Sequence, residues 1–171
     1  LKNVNVEDDT IFENLKEVNV SKCKNLRVID IEQAGEKFTE LDLSSNDKLN
    51  SLGLEGLRGL KQLKMPETDN LKEIVVKETA LESLALEKYT KLDKVCVGGN
   101  QFDILKINME QKTEKDIENM YLLFDNNLKV EFISSKSGIV PNIKRLDNHN
   151  LWAGIVFSNY VVTDYEIPEC W

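Results

Sequence analysis

Apolar residues recur along this chain in one short spacing, L-x-x-L-x-L. Counted from the first apolar residue of each copy, it reads Leu15, Val18, Val20; Leu26, Ile29, Ile31; Phe38, Leu41, Leu43; and Leu49, Leu52, Leu54. It continues through Leu60, Leu63, Met65; Leu71, Ile74, Val76; Leu81, Leu84, Leu86; and Leu92, Val95, Val97. The eight starts are separated by 11, 12, 11, 11, 11, 10 and 11 residues, and alternate starts by 23 (15 to 38), 22 (38 to 60) and 21 (60 to 81). The repeat is therefore two half-copies long. Weaker copies at Leu1, Val4, Val6 and at Phe102, Leu105, Ile107 bracket the array.

L-x-L alternation puts two apolar side chains on one face of a short extended segment, and the apolar residue three positions earlier turns inward at the corner before it. One copy buries almost nothing alone. Stacked copies bury a continuous core, which is the physical logic of a solenoid. The residues between and after the L-x-L pair then face outward. In one set of halves the central outward positions are Asp30, Gly53, Val75 and Cys96; in the other they are Asn19, Asp42, Lys64 and Ala85. Neither column contains an aromatic residue, so the repeat faces read as mixed-charge surfaces, solvated or forming a polar protein-binding face.

Past residue 108 the period disappears. In KTEKDIENMYLLFDNN, Thr113 and Asp116 have capping-box spacing, and Ile117, Met120, Tyr121 and Phe124 fall at i, i+3, i+4, i+7. This predicts a helix over about 113–125. Alternation at Leu128, Val130 and Phe132, and a β-rich LWAGIVFSNYVVTDYEI, predict strands after it. The expected organisation is a solenoid over 1–108 and a non-repeating α+β capping segment over 109–171 that covers the open end of the array. Eight of the twelve aromatic residues lie in that segment, with Trp152, Tyr160 and Trp171 as candidates for an exposed binding group.

The array resembles a leucine-rich repeat protein, specifically the short bipartite type of bacterial surface proteins. In that family one half reads LxxLxLxxNxL, matched by LDKVCVGGNQF, and the other LxxLxVSxN, matched by LKEVNVSKC and FTELDLSSN. The resemblance implies a right-handed solenoid, mainly β or α/β with few helices, in which parallel strands line one side and short strands or irregular turns the other. It also implies a protein partner and a secreted or cell-surface location. The family's Asn, eight residues after each start, hydrogen-bonds backbone groups of the turn. Here those positions hold Cys23, Ala34, Asn46, Leu57, Thr68, Thr79, Tyr89 and Asn100, so a continuous Asn ladder is not expected, and Cys23 reads as a small buried substitute.

Composition narrows the function classes. With 22 basic and 30 acidic residues the net charge is -8, which argues against a nucleic-acid partner. No run reaches the roughly 18 consecutive apolar residues of a membrane span. The chain opens at Leu1 rather than Met, which is compatible with a leader or lipid-anchor segment ahead of it. Cys23, Cys96 and Cys170 are too few and too far apart for a disulfide framework or zinc site, and His149 is the only histidine. GLEGLRG lacks the GK[ST] ending of a phosphate loop, and no nucleophile stands at a recognisable catalytic spacing. The expectation is a non-enzymatic protein-interaction module that needs no metal or cofactor, with Asp30, Gly53, Val75 and Cys96 as the candidate contact column. Two alternatives stand beside it: a spacer presenting another domain, and a small-ligand or enzymatic site in the aromatic C-terminal segment.

Overall fold

A computed structural model describes residues 3–6, 14–125, 127–134, 139, 141–145, 155–157 and 160–162, with side chains over 14–125, 127–134, 139 and 141–144. The chain is mainly β, its parallel strands stacked as a β-solenoid of about five turns. In chain order the strands are β1 (Asn3–Val6), β2 (Val28–Glu32), β3 (Glu40–Asp42), β4 (Ser51–Glu55), β5 (Gln62–Lys64), β6 (Glu73–Lys77) and β7 (Lys94–Gly98). They continue with β8 (Ile104–Asn108), β9 (Tyr121–Phe124), β10 (Lys129–Ile133), β11 (Ile143–Arg145), β12 (Ile155–Phe157) and β13 (Tyr160–Val162); one helix, α1 (Glu114–Glu118), stands between β8 and β9.

The long sheet runs β1-β2-β4-β6-β7-β9-β11 and every neighbour in it is parallel. Ile29, Leu52, Ile74 and Val95 are cross-strand partners, so the 23-, 22- and 21-residue spacings are the lengths of single turns. Opposite lie a two-stranded sheet, β3-β5, and a four-stranded one, β13-β12-β10-β8, whose β12-β13 pair alone is antiparallel. Residues 84–86, between these two sheets in the stack, keep the L-x-L pattern without ladder pairing. The inward rows Ile29/Ile31, Leu41/Leu43, Leu52/Leu54, Ile74/Val76, Leu84/Leu86 and Val95/Val97 are buried with the corner residues Leu26, Phe38, Leu49, Leu60, Leu71, Leu81 and Leu92. Each such side chain contributes about 1.5–3 kcal/mol when fully removed from water, so the array is held by the sum of its turns.

Two further devices repeat from turn to turn. At three positions eight residues after a start, Asn46, Tyr89 and Asn100, a side chain ties its turn to the one before it. Asn46 Nδ2 donates to the Val20 and Cys23 carbonyls, each at 3.1 Å, and Asn100 Nδ2 donates to those of Val76 and Gly98. Asn100 Oδ1 accepts from the Thr79 hydroxyl at 2.6 Å, and the buried Tyr89 hydroxyl donates to the Pro66 carbonyl at 2.8 Å. Tyr89 thus takes over the backward tie made elsewhere by Asn, while Thr79 is bonded forward, to Asn100 of the next turn. Cys23 is only partly buried and packs against the core edge.

The second device is conformational. The residue seven past the start in each long-sheet turn is left-handed: Gln33 (φ 58°), Gly56 (φ 69°), Glu78 (φ 49°) and Gly99 (φ 65°). Gln33, Gly56 and Glu78 each donate their N–H to the following turn, at Glu55 O, Lys77 O and Gly98 O. Gly99 donates instead to the Asp125 carboxylate.

Two expectations are corrected. The helix predicted over 113–125 spans only Glu114–Glu118, with the Thr113/Asp116 capping box formed and Asn119 closing it. Tyr121–Phe124 is strand β9: the open edge of β7 offers it a full parallel ladder, and alternation then buries Leu122 and Phe124 while Tyr121 and Leu123 face out. Stacking also does not stop at 108, since β9, β10 and β11 extend both sides of the solenoid. The turn from Val95 to Leu122 is simply longer, 27 residues, because α1 is inserted in it. Lys112, 5 % exposed, anchors that insertion through a 2.7 Å ion pair with Asp93.

Candidate functional site

Because every strand of the long sheet is in register, its outward side chains form rows running across the strands. The central row is Asp30, Gly53, Val75, Cys96, Leu123 and Lys144, with the Asn5 backbone in register beside Asp30. Asp30, Gly53, Val75 and Cys96 do line up as the repeat predicts, and the row continues past them. One flanking row is Val28, Ser51, Glu73, Lys94, Tyr121; the other is Glu32, Glu55, Lys77, Gly98.

Local chemistry differs along the row. The Asp30 carboxylate lies over Gly53, where a Cβ would stand 2.1 Å from its Oδ1, so the glycine makes room for the acid. Lys77 reaches back one turn to both oxygens of Glu55, at 3.3 and 3.4 Å. Farther along, the row turns apolar at Val75, Cys96 and Leu123. Cys96, expected to present an exposed thiol, is only 4 % exposed between these neighbours, and burial pushes its pKa up from the ordinary thiol value. It is therefore the floor of the row and not a reactive group.

Tyr121 and Leu123 are the functional candidates the repeat pattern misses. Tyr121 is 39 % exposed, one of two exposed large hydrophobic residues among the described side chains. The Lys144 ammonium stands 5.1 Å from its ring centroid, and Lys94 is its cross-strand partner. Their signal was the alternation in MYLLF, masked by an equally good helical spacing.

The other predicted column splits. Asp42 and Lys64 pair in register and bridge at 2.8 Å; this Lys64 bond, with two further bonds from Ser44, holds the Asp42 carboxyl well below the usual carboxylate range. Together with Asn19, Ser21, Glu40 and Gln62, and with Val18 and Leu41, they line a cleft of mixed polarity of about 280 Å³. Ala85 is exposed on an unpaired segment. A second cleft, polar and about 450 Å³, lies at the end of β7 and β9 among Asn100, Gln101, Asp103, Asp125 and Asn127. Neither cleft holds an aromatic platform beyond the buried Phe102. Among the described residues no group of three or more His, Cys, Asp and Glu could hold a metal, and no helix is long and apolar enough to cross a membrane.

Of the C-terminal candidates, Trp152 and Trp171 lie outside the described residues, as do His149 and Cys170. Tyr160 is placed by its backbone alone, opposite Phe157 in the β12-β13 pair.

No protein-family model, curated protein or solved structure matches this chain.

Proposed function

We propose that the chain is a non-enzymatic protein-interaction module of the leucine-rich repeat type, carried by an exported or surface-attached bacterial protein, with the outward face of the long sheet as its contact surface. The observation that carries this is the in-register row Asp30, Gly53, Val75, Cys96, Leu123, Lys144, a laterally continuous surface on a rigid scaffold. Repeat solenoids present such extended surfaces as a consequence of stacking, and their stability is spread over turns, not over the face. Substitutions at its part-exposed positions, such as Asp30, Val75 and Leu123, leave the inward core rows untouched, so recognition can vary there. The leucine-rich assignment is supported by the eight in-register copies and by the turn bonds of Asn46 and Asn100. The polar rims of the face, with one apolar stretch, suit protein better than sugar or phosphate.

Matched pull-downs with the wild-type chain, Val75→Arg and Asp30→Lys as baits test the location. Both side chains are part-exposed, and circular dichroism checks that each variant folds. Loss of a bound protein with either variant, at an unchanged circular dichroism spectrum, is the expected result; unchanged binding by both rejects this face.

A further inference from the structure

We propose that the C-terminal end of this face takes an acidic polypeptide segment with an apolar anchor, seated on Tyr121 and Leu123 and framed by Lys94 and Lys144; this rests on the reading above that the face binds protein. The first support is charge. Lys64, Lys77, Lys88, Lys91, Lys106 and Lys112 each hold a carboxylate within 4.0 Å. Lys94 and Lys144 hold none among the described residues; other described lysines, such as Lys72, Lys115 and Lys129, also hold none, but Lys94 and Lys144 are the ones placed beside the exposed Tyr121. Glu73 is the cross-strand neighbour of Lys94 but does not bridge to it. Two amines beside one tyrosine thus have no carboxylate within 4.0 Å among the described residues and can take carboxylates from a partner.

The second support is shape and polarity. Tyr121 is exposed, its ring fixed against the Lys144 ammonium. Beside it Leu123, Cys96 and Val75 form a part-buried apolar strip with the low Cys96 as its floor. Tyrosine next to recessed apolar groups and flanking cations is the composition of an interface centre. A free small anion leaves the apolar strip unused, and a nucleic acid meets an acidic chain with, among the described residues, two unpaired amines at this place.

The test is selection from a display library of random dodecapeptides against the wild-type chain, with Lys94→Glu/Lys144→Glu and Asp30→Lys variants as comparators. Thermal melts check that each variant folds. Enriched peptides are expected to be net acidic with one Leu, Phe or Trp. They lose at least tenfold in affinity against the double lysine variant, about 1.4 kcal/mol, bind Asp30→Lys unchanged, and weaken against Tyr121→Ala. Neutral or basic peptides, acidic peptides indifferent to Lys94→Glu/Lys144→Glu, or no enrichment at all each overturn the proposal. Peptides lost only with Asp30→Lys overturn it while leaving the face itself as the binding surface. Sedimentation velocity supplies the remaining arm: self-association abolished by the double variant makes the occupant a second copy of this acidic chain and overturns the peptide assignment.

Discussion

The ladder of left-handed residues offers the sharpest test of how the turns are built. Residues Gln33, Gly56, Glu78 and Gly99 occupy equivalent places, yet only two are glycine. A side chain in this conformation costs about 1–2 kcal/mol because Cβ crowds the following carbonyl. Glycine avoids that cost but gives back about 0.5–1 kcal/mol of unfolded-state freedom. Gln33→Gly should therefore be neutral to stabilising, by between about 0 and 1.5 kcal/mol.

The reverse changes differ from each other in a way the structure sets. A Cβ on Gly56 meets Gln33 atoms at 3.5 Å, ordinary contact, so Gly56→Ala carries the conformational cost alone, about 1 kcal/mol. On Gly99 it meets Glu78 Cγ at 3.1 Å and the Glu78 backbone N at 3.2 Å, so crowding is added to the same conformational cost. Gly99→Ala should cost about 2 kcal/mol. In urea, with a slope of about 1–3 kcal/mol per molar, each kcal/mol moves the midpoint by about 0.3–1 M. The expected order of midpoints is Gln33→Gly at or above wild type, then Gly56→Ala, then Gly99→Ala, at an unchanged slope. Equal midpoints for wild type and both alanine variants, or Gln33→Gly below Gly56→Ala, refutes the claim that this conformation sets the energetics of the corner.

Two other perturbations probe the interior. Tyr89→Phe removes the hydroxyl that serves the buried Pro66 and leaves that carbonyl unpaired, so it should cost about 1–3 kcal/mol; a midpoint shift near zero in the same urea series rejects the bond as structural. Cys96, its thiol pushed above the usual 9.0 by burial, should resist iodoacetamide at pH 8 until the chain is unfolded, followed by mass spectrometry of the peptide that carries it. The folded state holds that proton more tightly than the unfolded state, so the contribution to stability is full below about pH 9 and is lost as pH rises through the raised value. Stability should accordingly fall more steeply above pH 9 in wild type than in Cys96→Ala; parallel curves rule this out.

Most of the fold was legible because the stacking problem is solved one turn at a time. Leu92, Val95 and Val97 needed no distant partner to be recognised, only a copy 21 residues earlier at Leu71, Ile74 and Val76. Burial followed the pattern along most of the array, with Leu15, Val18, Leu63 and Met65 only partly covered. What could not be read was the tolerance of the turn for substitutes. Tyr89 reaches the previous turn's carbonyl with a phenol where Asn46 and Asn100 use an amide, and nothing in the spacing distinguishes such a substitute from a loss.

The end of the array was misplaced for a related reason, and the error matters for function. After residue 108 the first apolar position is gone, since Asn119 stands three residues before Leu122, and α1 lengthens the turn. A fixed-period reading stops there. The backbone does not, because an open β7 edge presents unpaired N–H and C=O groups whose satisfaction outweighs the helical spacing of Met120, Tyr121 and Phe124. Local pattern allowed both helix and strand, and pairing with β7 decided between them. With that decision Tyr121 moves from a helix face onto the outward sheet, and Lys144 arrives beside it through β11. The aromatic contact missing from the four-residue column Asp30, Gly53, Val75 and Cys96 thus comes from the segment in which the repeat can no longer be seen.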